Sequence, residues 1–564
     1  MASEIIVRRW LAGGFFAVAL AVRLLNAPYI FDTAGKPRIA PVDELYHWKR
    51  MSYSAAHVPH VLEFDRDRGI GGAFCPWPPL YDVAAGGAAR LLGAEDADEV
   101  LTRIIWFPPL LFALFTGLTV LVLARSCGII AAILTGIALA TSPFLVTPSW
   151  IGSIDHHFLE PALTFAILGA ASLGMRARTR REHIRAGILL GLAITAAMFV
   201  QTALLISAAL AFALLFLWSD CVAATYGFAI AAIAVALYRL TRAPGFPDNQ
   251  WFLGWTHASL FAAAAVASAI VVSRPRWRII ALLAGAAVVL GTPSVLNSLL
   301  TGAHFFGGNR WLKTIQEFQP LWRAHLPDLA SVLTGLSGGM VLVWFLLVRA
   351  LRTRDRTRLA VAIFALAYLG LTITSRRFWI IAIPLLALAG ALYVPLIVRK
   401  RLAIVSALAI ALSPPLQLAG WLITPMLPVP PNQQQWLRAT SFIQTLPPGR
   451  VLGPWSMGHA IDVEGKHPVI IDNFGTMPDE KTFDVAQQAL IEGDETTLAA
   501  YCDAAGVRYL ALEPPLPGIA SANVILGTKR APESTWWWRV WHGQQPKQFR
   551  LLWSQPDLRI YQRR

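Results

Sequence analysis

Apolar runs of about 20 residues, the length that crosses a bilayer core as a helix, recur along the chain as far as residue 424. Thirteen are counted, centred near residues 18, 112, 135, 167, 192, 210, 229, 265, 289, 345, 365, 387 and 410. The charges between them test the count. With Arg8 and Arg9 on the inner side, the even-numbered runs return to Arg125 and to the basic stretches 176–185, 274–278, 349–358 and 399–401. All strong basic clusters then share one side, as the positive-inside rule requires. Only the turn at Ser219-Asp220 lacks a positive charge. The outer side receives a long first loop over 28–100, a short loop carrying Asp155, a loop over 301–335 and the C-terminal tail.

The tail departs from this pattern. Runs at 469–471 and 507–512 read as strands, and 482–505 between them reads as a helix stopped by Gly506. The expected organisation is a polytopic α-helical membrane domain over 1–424, a Pro-rich link over 425–435, and a small α/β domain over 436–564. No repeat of 20–50 residues is present, which sets a solenoid aside.

Composition narrows the class. With 56% hydrophobic and 14% charged residues, the chain is a polytopic membrane protein, not a soluble enzyme. The net charge of +15 sits in short loops, so it speaks for topology and not for nucleic acid. Cys75, Cys127, Cys221 and Cys502 lack CxxC spacing and give neither a metal knuckle nor a disulfide framework. Ala27-Pro28-Tyr29 is a poor cleavage site, so the first run stays as an anchor.

Charged residues gathered at one membrane face are the candidate chemistry, since ionisable groups near lipid are expensive. Asp155-His156-His157 offers hard oxygen and borderline nitrogen for a divalent cation, or is simply a hydrated loop. Asp43 and Glu44 stand near Tyr46, His47 and Arg50, where an acid is either a ligand or a salt-bridge partner of Arg50. Glu317 closes Thr314-Ile315-Gln316-Glu317 in a loop that also carries Phe305-Phe306-Gly307-Gly308. A cation needs several oxygen ligands, and three independent acids share this face. Arg376-Arg377 opens the twelfth run on that face, against the positive-inside bias, and a guanidinium fork suits phosphate; the competing reading is interfacial snorkelling. Trp536–Trp538 and Trp541 read as packing.

These residues together resemble the catalytic subunit of oligosaccharyltransferase in its single-chain archaeal and bacterial form, a membrane-embedded GT-C glycosyltransferase. Asp43, with Tyr46, His47 and Arg50, is similar to the family's first acidic motif, and Gly152-Ser153-Ile154-Asp155-His156-His157 to the second. Glu317 ends a TIxE motif, and Arg377-Phe378 followed by Pro384 is similar to the RF…P pattern. One motif departs. The family's W-W-D-Y-G, which reads the hydroxyl of the acceptor Asn-x-Ser/Thr, is here Pro454-Trp455-Ser456-Met457-Gly458, although Asp472-Asn473 is similar to the segment that follows it.

The resemblance implies about thirteen transmembrane helices with an extracytoplasmic C-terminal domain in the cytoplasmic membrane. It implies a divalent cation, Mn²⁺ or Mg²⁺, on Asp43, Asp155, His157 and Glu317, with Asp43 and Glu317 also catalytic towards the acceptor. Arg377 and His156 would bind the diphosphate of a polyprenyl-linked glycan, and Trp455 and Ser456 the acceptor polypeptide. The partners are then that donor, the acceptor and membrane lipids, with the chain active alone. The lost Asp removes a hydroxyl acceptor, so either Ser456 or His459 substitutes or the acceptor is not a standard sequon. Two rivals stand beside this: a related glycosyltransferase with a lipid or polysaccharide acceptor, and a transporter. Transport calls for charges or broken helices at mid-span, and the runs are nearly free of acids.

Overall fold

The computed structural model describes residues 2–564 apart from 33–34, 41, 244, 293–294, 299, 301–308, 324–338, 398 and 423–430. Each of the thirteen centres read from the sequence falls within a helix, the form in which a chain satisfies its own backbone in lipid. Among the described residues nine helices are long and apolar enough to cross a membrane. Ile129–Thr141 with Pro143–Ser149, bent by 65°, makes a tenth. The remaining centres lie in the shorter helices Leu205–Trp218, Arg278–Leu290 and Gly339–Thr353. Phe305–Gly308 lies outside the described residues.

The bend has a cause. Pro143 has no N–H to continue the helix, and the carbonyls before it need other donors. Arg23, buried at the end of the first helix, donates to the Leu139 and Ala140 carbonyls at 3.0 and 3.2 Å. Its Nε–H donates to Ser149 Oγ at 2.6 Å. Asn26 on the same segment donates to the Ile151 carbonyl at 3.0 Å. The first helix thereby fixes the loop that leads into Asp155. Gly152 in that loop has φ +91°, and a Cβ there would meet Ile30 Cδ1 at 2.8 Å, so glycine is required on both counts.

The tail is an α/β unit with a four-stranded sheet, in the order Arg450–Leu452, Val507–Leu512, Leu558–Arg563, Phe549–Gln555. The first pair is parallel and the other two antiparallel. Two sequence expectations are corrected. Residues 469–471 make isolated bridges only, from Val469 to Val451 and Arg68. The helix expected over 482–505 is two, Glu480–Leu490 and Glu495–Ala505. Asp494 starts the second by accepting the Thr497 N–H at 3.0 Å, a capping bond that separates the two. Gly506 does stop it, with φ +67°. Residues 425–430 of the expected link lie outside the described residues, and the chain is helical over Pro431–Ile443. Trp536 and Trp537 are buried in the core of the tail. That core also takes in Trp311 and Leu312 from the loop bearing Glu317.

The first long loop is held against the tail. Arg68 forms a two-pronged ion pair with Asp472, one arm at 3.2 Å, and lies 4.2 Å over the Phe474 ring. Lys49 Nζ reaches Asp65 at 2.8 Å and both oxygens of Asp462 at 2.8 and 2.9 Å. Tyr46 stacks on His459 with centroids 4.9 Å apart. The helix Asp43–Ala56, which carries Asp43 at its first turn, is thus positioned from the side of the tail.

Candidate active site

Where the membrane helices, the first loop and the tail meet, they enclose a cavity of about 1260 Å³. Its wall contains Asp43, Glu44, Asp155, His157, Glu317 and Arg377. Trp455 and Asn473 close it from the tail, and Phe144, Trp379 and Trp421 line it among the membrane helices.

Asp155 is the electrostatic centre. Its Oδ1 lies 2.9 Å from His156 Nδ1 and 3.3 Å from His47 Nε2, and its Oδ2 lies 3.2 Å from His157 Nε2. Burial opposes its charge, but His157 and His156 outweigh that and hold it well below the usual carboxylate range. His157 Nδ1 is 2.8 Å from Glu160 Oε1. A ring nitrogen oriented by a carboxylate leaves the other nitrogen directed at Asp155, as second-shell carboxylates do for metal-binding histidines. Arg377 lies against the same ring at 3.0 and 3.1 Å, and donates to Glu160 at 2.9 Å and to Glu317 at 3.4 Å.

Asp43 and Glu317 face the open cavity, with 37% and 44% of their side-chain surface exposed. Each has a basic neighbour: His459 Nδ1 is 3.5 Å from Asp43, and Arg377 faces Glu317. Arg50 does not pair with Asp43; its partner is Asp82 at 2.5 Å. The Glu317 loop hangs from the membrane domain through the Gln319 carbonyl, which accepts the Arg376 N–H at 3.1 Å. On its other side, Asn309 donates to Thr476 at 2.9 Å, and Trp311 packs so closely on Gly475 that a Cβ would come within 2.1 Å.

Of the residues singled out from the sequence, Asp43, Asp155, His157, Glu317, Arg377 and Trp455 share this one cavity. Two do not line it. His156 is 1% exposed and sits behind Asp155, its Nε2 2.9 Å from Gln201. Ser456 is half-buried beside the cavity, and Asn473 occupies the wall instead. Sequence reasoning gave no site role to several neighbours. Glu160 was findable, since it follows His157 by one helical turn. His47 and Asp82, 2.6 Å apart, carry no local signal of their pairing. Glu44 also faces the cavity; burial, Asp155 and Asp43 push its carboxyl up to about 8, so at neutral pH it can donate a hydrogen bond.

Two groups among the described residues gather three donor atoms closely enough for a metal ion: His47/Asp155/His156 and His156/His157/Glu160. Burial lowers the His47 pKa, but Asp82 and Asp155 overcome it and raise it to about 9. With its Nδ1 on Asp82 at 2.6 Å and its Nε2 towards Asp155 at 3.3 Å, His47 supports Asp155.

No protein-family model matches the chain, and neither does any curated protein sequence. Solved structures do. The chain is similar to the archaeal oligosaccharyltransferase AglB from Archaeoglobus fulgidus in complex with an inhibitory peptide and a dolichol-phosphate, at TM-score 0.76 and 16% identity over 90% of this chain and 69% of that one. It is similar to the Archaeoglobus fulgidus oligosaccharyltransferase tethered with an acceptor peptide containing the NVT sequon, at TM-score 0.74 and 16% identity over 92% and 71%. The same enzyme with Zn and sulfate matches at TM-score 0.68 and 18% identity over 89% and 68%. Likeness at this identity establishes the fold: the chain has the polytopic membrane fold of the archaeal oligosaccharyltransferase.

Proposed function

We propose that the protein is a metal-dependent, inverting glycosyltransferase that moves a glycan from a polyprenyl diphosphate to an asparagine of an acceptor polypeptide. The observation that carries this is the convergence of Asp43, Asp155, His157, Glu317, Arg377 and Trp455 on one cavity. The similar structures hold an inhibitory peptide with a dolichol-phosphate, and a sequon peptide, which supports both substrate classes. The positive-inside charges favour an extracytoplasmic cavity at the cytoplasmic membrane.

The chemistry of Asp43, Asp155, His157 and Glu317 suits a hard divalent cation, Mn²⁺ or Mg²⁺, while the donor groups already close enough to share an ion contain Asp155 and His157 but neither Asp43 nor Glu317. Asp155 is strongly ionised and His157 is oriented by Glu160, with Asp43 and Glu317 on the same wall. Such an ion would neutralise charge developing on the departing diphosphate. His156, buried behind Asp155, holds that carboxylate in place. Arg377 turns its guanidinium from Glu317 to a phosphate of the donor. Asp43 and Glu317 accept the two N–H bonds of the acceptor amide, which weakens its conjugation and makes the nitrogen nucleophilic. The nitrogen attacks the anomeric carbon, the C–O bond to the diphosphate breaks on the opposite face, and one amide proton passes to a carboxylate. The chain works alone, with Trp455 and Ser456 on the acceptor side.

Transfer from a polyprenyl-diphosphate oligosaccharide to a fluorescent Asn-x-Thr peptide is expected with Mn²⁺ and is expected to stop with EDTA. Transfer that EDTA leaves untouched would sink the metal dependence. A second reading has its own support. The position of the family's hydroxyl-reading Asp is Ser456, and it does not line the cavity; no peptide transfer with intact donor binding would point to a lipid or polysaccharide acceptor. For Arg377→Ala, loss of a charge-assisted bond worth about 1.5–3 kcal/mol is expected to raise the KM for the donor at least tenfold and leave that for the peptide nearly unchanged. An unaltered donor dependence would exclude the phosphate role.

A further inference from the structure

At the opposite end of the helix bundle lies a second cavity, of about 510 Å³. Five arginines line it: Arg176 at the end of the helix Glu160–Arg176 and Arg178 just beyond it, and Arg354, Arg356 and Arg358 at the turn into the helix Arg356–Thr374. Cys127, Met175 and Leu392 add an apolar part to the lining. Asp355 is the only acid in the lining among the described residues, and it is committed. It caps its helix by accepting the Arg358 N–H at 3.1 Å and pairs with the Arg358 guanidinium at 2.5 Å. Arg356 donates to the Met175 carbonyl at 2.7 Å. The side chains of Arg176, Arg178 and Arg354 have no hydrogen-bond or ion-pair partner among the described residues. The nearby Glu182 accepts the backbone N–H groups of Arg178 and Thr179, at 2.8 and 3.2 Å.

The positive-inside rule accounts for arginines at this face. It does not account for their meeting around one concavity from two loops far apart in sequence. Nor does it account for Arg354, which ends the helix Gly339–Thr353 with φ +53°. The Asp355 N–H returns to the Ala350 carbonyl at 3.0 Å there, a helix-ending turn that usually takes glycine. One helical turn further into the bundle, Leu173 and Leu351 are exposed. The arginines thus have exposed apolar side chains one helical turn further along their helices.

We propose that this cavity binds a phosphate-bearing anion, presented as the headgroup of an anionic phospholipid in the leaflet opposite the candidate active site. Guanidinium forks suit phosphate oxygens, and basic pockets between membrane helices on the inner side hold anionic headgroups. These exposed apolar side chains favour a lipid over a free anion. The occupied pocket braces the helices Glu160–Arg176, Arg356–Thr374 and Trp379–Tyr393, whose other ends adjoin the candidate active site.

The test is thermal unfolding of the full chain in neutral detergent, titrated separately with phosphatidylglycerol, phosphatidylcholine and inorganic phosphate. Phosphatidylglycerol is expected to raise the Tm saturably and phosphatidylcholine to leave it unchanged. The triple variant Arg176→Gln, Arg178→Gln, Arg354→Gln is expected to need at least ten times more phosphatidylglycerol. Stabilisation by inorganic phosphate that is lost in the triple variant would keep the anion site and overturn the lipid as its source. Equal responses of wild type and variant, or of the two lipids, would overturn the site. If the triple variant does not fold, Arg178→Gln alone, at an exposed side chain, must weaken the phosphatidylglycerol response severalfold, and an unchanged response counts against the proposal.

Discussion

Asp43→Ala and Glu317→Ala are each expected to reduce glycan transfer by about 10²–10⁴-fold, the range for removing a group that takes a proton in the transition state. Both side chains face the cavity from different segments, Asp43 from the first long loop and Glu317 from the loop hung between Gln319 and Trp311. Neither is part of the buried pairing that holds the fold: Arg50 is paired with Asp82, and Arg68 with Asp472. The variants should therefore insert and unfold like the wild type. The loss should appear in kcat, because the N–H contacts strengthen only as the amide becomes a nucleophile. Because the two carboxylates act on one nitrogen, the double variant should be little worse than either single one. Near-full activity in both single variants would remove the amide-activation mechanism.

The membrane part of this fold was legible because lipid leaves a chain few choices. An apolar run of this length has to be a helix, and all thirteen centres are helical. The wall of the cavity was legible for a different reason. Asp155-His156-His157, Glu317 and Arg377 lie in loops or at helix ends where charge has no packing purpose. What escaped was everything set by contacts distant in sequence. His47 meets Asp82 across 35 positions and Arg68 meets Asp472 across 404, and neither pair leaves a local trace. Within the tail, period and length alone merged 482–505 into one helix, although Gly493-Asp494 carried the signal of a stop and a new cap. The inward placement of His156 also depends on neighbours, since adjacent residues at a helix start point in different directions.

Arg68→Ala is expected to cost about 3–5 kcal/mol, the penalty for leaving one charge of a buried pair alone. Asp472 is 5% exposed. Burial opposes its ionisation, yet Arg68 and His459 hold its carboxyl below the usual range. Without the guanidinium it must either stay charged and unpaired or take up a proton. The same substitution removes the cation over Phe474 and loosens the seam where the Val469 N–H donates to the Asp67 carbonyl at 2.7 Å. The tail should then undock from the first loop, exposing the seam to protease at temperatures where the membrane helices remain folded. Peptide transfer should suffer more than donor binding, because Trp455 and Asn473 come from the tail and Arg377 does not. In wild type the carboxylate's contribution is fully present above its unfolded pKa near 4 and is lost as the pH falls through the depressed folded value. The share of docking that the Arg68–Asp472 pair contributes should accordingly be constant from neutral pH down to about 5 and be lost only in stronger acid. The second substitution decides the cause. Arg68→Ala with Asp472→Ala removes both charges and should restore part of the lost stability, since no unpaired ion is left. An unchanged protease pattern in Arg68→Ala would show that the pair does not hold the tail; a double variant worse than the single would show that Asp472 is held for another reason.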